Sequence, residues 1–385
     1  MTGVILTLNA GSSSIKFALY GAGDTPVLEA SGMVDAIGPE ARLVLKPEGG
    51  DKSVTALGRT DHVTGVTAIL TALDPLLSGR PVLGVGHRIV HGGPDIDGPR
   101  VLDTALLDHL ATLQPLAPLH QPHNLAAVHA ARAAFPDAIQ VGAFDTAFHR
   151  GHPRVHDQFA LPRRYYEQGV RRYGFHGLSY DYIAGLMARD APDLARGKVI
   201  VAHLGNGASL AGIDNGRSIS STMGFSALEG LCMGTRPGQV DPGVLLYLMK
   251  EEGMGYEDLT RLLYKESGML GLSGISHDMR ELLASDAPEA EEAIAYYCAR
   301  LAREIGAMAA VLGGLDALVF TGGVGENAAP IRARALEGLG FLGLSLDGER
   351  NARNARAIHS GKVPILVLPT DEEQVIARAT LSCLG

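Results

Sequence analysis

Several short stretches of this chain set glycine beside polar side chains in ways that suit an anionic ligand. The first is LTLNAGSSSIKFALY, residues 6–20, which offers Asn9, Ser12, Ser13, Ser14 and Lys16 around Gly11. A Walker phosphate loop needs G-x-x-x-x-G-K-[ST] followed by a helix. Here Ile15, Phe17 and Leu19 alternate with Lys16 and Ala18, which is the period of a strand. The stretch therefore reads as strand, tight turn, strand. HLGNGAS (203–209) and TGGVGEN (321–327) repeat the pattern of an apolar strand entering a Gly-rich turn. Backbone N–H groups in such turns form anion-binding nests, and the third also opens a helix. GLGFLG, residues 338–343, fits G-x-G-x-x-G but follows a helix rather than a strand, so it reads as an ordinary turn.

Two arginines stand in Gly-bearing loops: Arg88 in GHRIVHGG and Arg236 in MGTRPGQVDP. That setting suits bidentate binding of a carboxylate or phosphate, although either arginine alone reads as one solvating its turn. Asp145 ends an apolar strand in AFDTAFH, where a site carboxylate and a turn aspartate are equally natural. Glu372 and Glu373 open the last helix, where acids complement the helix dipole. A Mg²⁺ role there needs a further oxygen, such as that of Asn9. The 14 histidines raise a zinc reading, but no H-E-x-x-H and no nearby cysteine pair accompanies them, so a metallohydrolase stays an outside reading.

These residues must be held by a sizeable fold. With 385 residues, two domains are expected. The chain is 46% hydrophobic and 19% charged, as a folded globular protein is. A net charge of -9 argues against a nucleic-acid partner. Cys232, Cys298 and Cys383 are scattered and odd in number, which suggests reduced thiols and a cytoplasmic setting. No signal peptide is expected, and no apolar run approaches the ~18–20 residues that span a membrane.

After the first hairpin, antiparallel strands are expected to about residue 60, then a helix over 61–77. VLGVGHRIVHGG reads as a strand entering a loop, NLAAVHAARAAF as a helix stopped by Pro136, and AIQVGAFDTAFH as a buried strand that breaks at Asp145. Basic and aromatic residues 150–175 are a candidate linker zone. KVIVAHLGNGASLAGIDNG then repeats the opening hairpin, which points to an internal duplication. Asp241-Pro242 is a good helix start, a long helix is predicted over 288–312, and the last two Gly- or acid-bearing motifs join strands to helices.

Taken in order, LNAGSSSIKFALY, GHRIVHGG, APLHQPHN, FDTAFH, RRYGFHGLSY, AHLGNGAS, STMGFSALEG, MGTRPGQVDP, GISHDMR, FTGGVGEN and PTDEE closely resemble the acetate kinases, the acetokinase family of the sugar-kinase/Hsp70/actin superfamily. The resemblance covers nearly the whole chain. It implies an α/β protein of two duplicated actin-like (ribonuclease H-like) βββαβαβα domains, with ATP in an interdomain cleft. The first would span 1–147, closed by the C-terminal helix 374–385, and the second, for nucleotide binding and dimerisation, 148–373. It implies reversible transfer of the γ-phosphoryl group of ATP to acetate in a cytoplasmic homodimer. Mg²⁺, or Mn²⁺ in its place, would be the metal, and a phosphotransacetylase the metabolic partner.

Residue by residue, Asn9 and Glu372 match the family's metal ligands, Lys16 a nucleotide-site lysine and Arg88 the acyl-substrate arginine. Asp145 matches the catalytic aspartate, and His176 and Arg236 the transition-state stabilisers. Val90, Leu119 and Phe175 match walls of the acyl pocket. Three segments match the ATP site: His203, Leu204, Gly205, Asn206 and Gly207; Asp278, Met279 and Arg280; and Gly322, Gly323, Val324, Gly325 and Glu326.

Acetate is ionised at neutral pH and needs no general base. It needs cations that let one anion approach another and that spread charge in an in-line, direct transfer. Asp145 is therefore expected to orient an arginine or a metal-bound water rather than remove a proton. The chain departs from the family at Ala227, where GFSALEG stands for GFTPLEG, at TRPGQVDP for TRSGDLDP, and at PLHQPHN for PLHNPPN. These departures bear on substrate breadth. A propionate or butyrate kinase, and a nucleotide-gated module without catalysis, are the competing readings. Arg88, Asp145, His176 and Arg236 together speak against the second.

Overall fold

A computed structural model describes residues 3–11, 14–118 and 120–385. Leu119 of the expected acyl pocket, and Ser12 and Ser13 of the first turn, lie outside the described residues. The chain divides into two compact units, Met1–Arg150 with Asp371–Gly385, and Gly151–Thr370. The changeovers thus fall at 150/151 and 370/371, against 147/148 and 373/374 in the sequence reading. Asp371 goes with the last helix because it caps it: its Oδ1 accepts from Gln374 N at 2.9 Å.

The first unit is built on β1 (Val4–Ala10), β2 (Ile15–Gly21), β3 (Val27–Asp35), β4 (Gly38–Pro47), β5 (Ser53–Thr60), β6 (Val82–Ile89), β7 (Arg100–Val101) and β8 (Ile139–Phe144). Their order across the sheet is β5-β4-β3-β2-β1-β6-β8-β7. The second unit carries β9 (Lys198–Leu204), β10 (Ala208–Asp214), β11 (Arg217–Ser221), β12 (Ala317–Thr321) and β13 (Ile365–Val367), in the order β11-β10-β9-β12-β13. The run β3-β2-β1-β6-β8 has the same order and sense as β11-β10-β9-β12-β13. Each begins with an antiparallel three-stranded meander and continues with two parallel strands beside its first strand. This shared topology is the internal duplication that the paired hairpins suggested, in the two-domain α/β fold that the resemblance implies.

Period-two alternation decides what each face of β1 meets. Val4, Leu6 and Leu8 join a core with Val66, Ile69 and Leu73 of the helix His62–Leu77 and Ala127 and Ala131 of the helix Gln121–Ala134. Ile5 points the other way and packs with Ala377 of the helix Glu372–Ser382. Asn9 shares the Ile5 face and so is carried toward that helix. On β6, a Cβ at Gly84 or Gly86 would lie 2.7 or 2.2 Å from the Thr380 side chain. The two glycines let the C-terminal helix lie flush on the strand, and Arg88 continues their face. An alanine at Gly86 would overpack this contact at a cost of about 1–3 kcal/mol.

The helix His62–Leu77 starts where Asp61 accepts from Thr64 N at 2.8 Å, and the helix Pro288–Leu312 runs between Pro288 and Gly313, whose φ of 66° ends it. Residues 150–175 are not a linker. His152 sits between Asp157 (3.2 Å) and Ser218 of β11 (2.7 Å), which ties this segment into the second unit. TGGVGEN also differs from the expected turn, since a helix, Gly322–Asn327, begins directly after β12.

Candidate active site

In the first unit, β1, β6 and β8 bring three polar residues, Asn9, Arg88 and Asp145, to the start of the C-terminal helix. Arg88 holds Asp145 through two nitrogens, Nε to Oδ1 at 3.0 Å and an η-nitrogen to Oδ2 at 2.6 Å. Asp145 is 1% exposed, directly beyond β8, and its own N–H donates to Ile89 O at 3.0 Å. A second η-nitrogen of Arg88 donates to Asn9 Oδ1 at 3.1 Å. Asn9 Nδ2 donates in turn to Glu372 Oε2 at 3.1 Å and Glu373 Oε1 at 3.3 Å. Burial opposes the Arg88 charge, but Asp145, Glu372 and Glu373 outweigh it and raise the proton affinity of the guanidinium. Burial also pushes the Glu373 carboxyl up, against the pull of Lys16. Lys16 lies opposite Asn9 across the hairpin and is exposed. Val90, two residues past Arg88, is buried.

This cluster fits a magnesium-type ion on the chemistry of its donors. Such ions take one or two carboxylates and leave other positions to water and phosphate. Glu372 and Glu373, each within 3.3 Å of Asn9 Nδ2, supply the carboxylates of that set, and Asn9 Oδ1, now accepting from Arg88, is the amide oxygen beside them. No group of three or more His, Cys, Asp or Glu side chains that could hold a metal occurs among the described residues. The His87–His91 pair is divided: His87 lies on β6 and meets Gln140 Oε1 at 2.8 Å. Burial pushes its imidazole down to about 4.

In the second unit, the first turn of the helix Gly177–Asp190 lies on the pair formed by His203 of β9 and Ser209 of β10, which are directly opposite each other. Ser179 and Tyr180, three and four residues past His176, reach the same face. Ser179 Oγ meets His203 Nδ1 at 2.8 Å, Tyr180 Oη meets Ser209 Oγ at 2.5 Å, and Ser209 Oγ meets His176 Nδ1 at 2.8 Å. His176 caps the helix at a φ of 59° and stacks on His203 with centroids 4.4 Å apart. Phe175, beside it, is buried. Arg236 donates to the carbonyl oxygen of Ala227 at 2.7 Å. A Cβ at Gly207 would stand 2.8 Å from an Arg236 η-nitrogen and 3.1 Å from His176 Nε2. The missing side chain is therefore what lets these two groups converge.

A cavity of about 540 Å³ lies nearby in the same unit. Gly205, Asn206, Asp278, Met279, Arg280, Gly323 and Val324 line it, joined by Gly234, His277, Tyr297 and Pro330, which sequence reading did not single out. Its size suits a nucleoside. Asp278 caps the helix Met279–Leu283, and Arg280 holds its carboxyl down at about 2. His203, Leu204, Gly207, Gly322, Gly325 and Glu326 do not line the cavity. Gly322, with a φ of 78°, has Leu204 O 2.8 Å from where a Cβ would be. Glu326 Oε1 turns back to accept from Gly322 N at 2.9 Å and Thr370 N at 3.4 Å, joining two loops of this unit.

Residues 4–378 match the model of the acetokinase family. The acetate kinase of Methylocella silvestris is 50% identical over 100% of this chain and 98% of its own. That of Rhizobium meliloti is 48% identical over 99% and 98%. Among solved structures, a propionate kinase from Francisella tularensis matches with a TM-score of 0.92 at 34% identity, covering 98% of each chain. Porphyromonas gingivalis acetate kinase matches with a TM-score of 0.88 at 38% identity, covering 100% of each.

Proposed function

The chain belongs to the acetokinase family, and on that premise we propose that it transfers the γ-phosphoryl group of ATP to acetate, giving acetyl phosphate and ADP, and runs the reverse reaction. It is a phosphotransferase with a carboxyl group as acceptor. The convergence of Arg236 and His176 over Gly207 is the observation that carries the mechanism. An acceptor that is already an anion needs donors on the transferring phosphoryl oxygens, and these two supply them. Transfer is direct.

In the first unit Arg88 binds the acetate carboxylate. Its two bonds to Asp145 support the aspartate as the group that orients the guanidinium, with no proton to remove. Asn9 and Glu372 would hold Mg²⁺, or Mn²⁺, with Glu373 beside them. When bound, the ion draws negative charge from the phosphate oxygens. The nucleoside takes the cavity between Asn206, Asp278 and Val324. A homodimer is supported by the helix Pro242–Glu251, which has no buried residue and exposes Val244, Leu246, Tyr247 and Met249. The buried thiols of Cys232 and Cys298 suit a reducing cytoplasm. Acetyl phosphate would pass to a phosphotransacetylase.

Propionate is the second reading, favoured by Ala227 and by the likeness to a propionate kinase structure. Coupled ADP release with Mg-ATP and acetate, propionate or butyrate tests both. Acetate should lead, propionate follow and butyrate trail. A chain that prefers butyrate, or releases no ADP with any acid, ends the proposal.

A further inference from the structure

The loop that follows Arg88 is gripped in an unusual way. Four consecutive amide N–H groups each donate to a side chain: Val90 to Asn124 Oδ1 (3.0 Å), His91 to Gln121 Oε1 (3.3 Å), Gly92 to Thr146 Oγ1 (3.1 Å) and Gly93 to His91 Nδ1 (3.0 Å). Two of these acceptors, Gln121 and Asn124, come from the first turn of the helix Gln121–Ala134. Both are buried, at 0% and 1% exposure. Gln121 also donates back to His91 O at 3.0 Å, so one amide side chain takes both polar groups of a single residue, as a neighbouring strand would.

Asn124 does something different. Its other end, Nδ2, donates to Ala10 O at 2.7 Å. Ala10 is the last residue of β1, directly after Asn9 and before the turn where Gly11 N donates to Ser14 O at 2.8 Å. One side chain therefore spans the acyl loop and the phosphate hairpin, which are about 80 residues apart in the chain. His123, the next residue back, adds to the hold. It stacks on His62 with centroids 4.0 Å apart, and His62 Nε2 lies 2.6 Å from Gly11 O.

We propose that Asn124 is a positioning residue that couples the acyl pocket to the phosphate hairpin, setting through one amide the distance between the Val90 wall and the Asn9 end of β1. This rests on the acetate-phosphorylating activity proposed above. An amide is suited to the task because it is an acceptor at one end and a donor at the other, with a planar group between. Both of its backbone partners are buried, and a buried polar group left without a partner is costly, so the bridge holds a single geometry. Reacting atoms must be set to well within an ångström, and a misplacement of about 1 Å can cost ~10²-fold.

The test uses the full-length chain and reads the two Michaelis constants separately. Asn124→Ala breaks both bonds. Asn124→Asp keeps an acceptor for Val90 N, removes the donor to Ala10 O and changes shape least. Asn124→Ala should raise the acetate KM by at least ~10-fold and leave the ATP KM within ~3-fold, because the nucleoside cavity is in the other unit. Asn124→Asp should recover most of the acetate KM while kcat stays low. Thermal melting of both variants separates this from loss of fold. A melted Asn124→Ala leaves the judgement to Asn124→Asp, whose acetate KM and kcat must still part. If wild type releases ADP with acetate and a folded Asn124→Ala raises both KM values equally or lowers kcat alone, or the acetate KM and kcat of Asn124→Asp do not part, the coupling is overturned. If wild type itself is silent with acetate, the activity reading fails instead.

Discussion

The two units hold their site residues by different means. In the first, side chains hold side chains through charge: Asp145 grips Arg88, and Asn9 lies between Arg88 and the two glutamates. In the second, the holds are a hydroxyl, a carbonyl and an absent side chain: Ser209 on His176, Ala227 O on Arg236, and bare Gly207 beneath both. A cluster built from buried charges is sensitive to losing one, because the partner stays behind uncompensated. A cluster built on close backbone approach is sensitive to added atoms, because a close-packed interior has nowhere to put them.

The largest expected effect lies in the second unit. Arg236→Ala should cut kcat by ~10²–10³-fold, the scale for one lost transition-state donor. Arg236→Lys should not restore it, since an ammonium lacks the guanidinium fork. Near-normal ADP release in the alanine variant would remove Arg236 from the chemistry. Next comes the charge contrast. Asp145→Asn keeps shape and removes one charge, and should destabilise the first unit by about 3 kcal/mol. Ser209→Ala should cost about 1 kcal/mol, the worth of a neutral hydrogen bond. Urea melts of both variants decide this, and equal costs would break the comparison.

Added atoms sharpen the other side of it. Gly207→Ala should lower turnover by about 10²-fold by parting Arg236 from His176. Gly205→Ala should be tolerated, since its Cβ would meet Gly207 O at 3.4 Å and His203 Nε2 at 3.9 Å, both ordinary contacts. If the two alanines behave alike, backbone approach is not what orders that site.

Acyl length gives a smaller effect, because one methylene in an apolar pocket is worth ~1–3 kcal/mol. Val90→Ala should raise kcat/KM for propionate relative to acetate, and Ala227→Pro should lower it. An unmoved ratio in both would put the acyl pocket elsewhere. A separate effect lies on the acid side of stability. His87, usually near 6.5, is held at about 4 by burial, so the unfolded chain binds the proton first. Stability from this group is complete above pH 6.5 and is lost as pH falls toward 4. His87→Gln should flatten that limb of the melting curve, and an unchanged limb would mean His87 does not titrate there.

Local rules were enough for much of the fold. Alternation in residues 6–20 and 198–214 marks both hairpins, because a strand's period is written in its own residues. Asp61, Asp241 and Pro288 mark helix starts because a cap bonds within three residues. The ordered motifs likewise carried the family and most candidate residues. What the tertiary structure alone decided is who meets whom. Asn9 reaches Glu372 across 363 positions, and Arg88 reaches Asp145 across 57. Those meetings depend on strand order and on the flush seat that Gly84 and Gly86 make for the last helix, which no local pattern encodes. Glu326, with an ATP-site position in its motif, turns back to the N–H groups of Gly322 and Thr370. Gln121 and Asn124 carried no signal of chemistry, because an amide that bridges two distant backbones looks in sequence like any polar residue at the start of a helix.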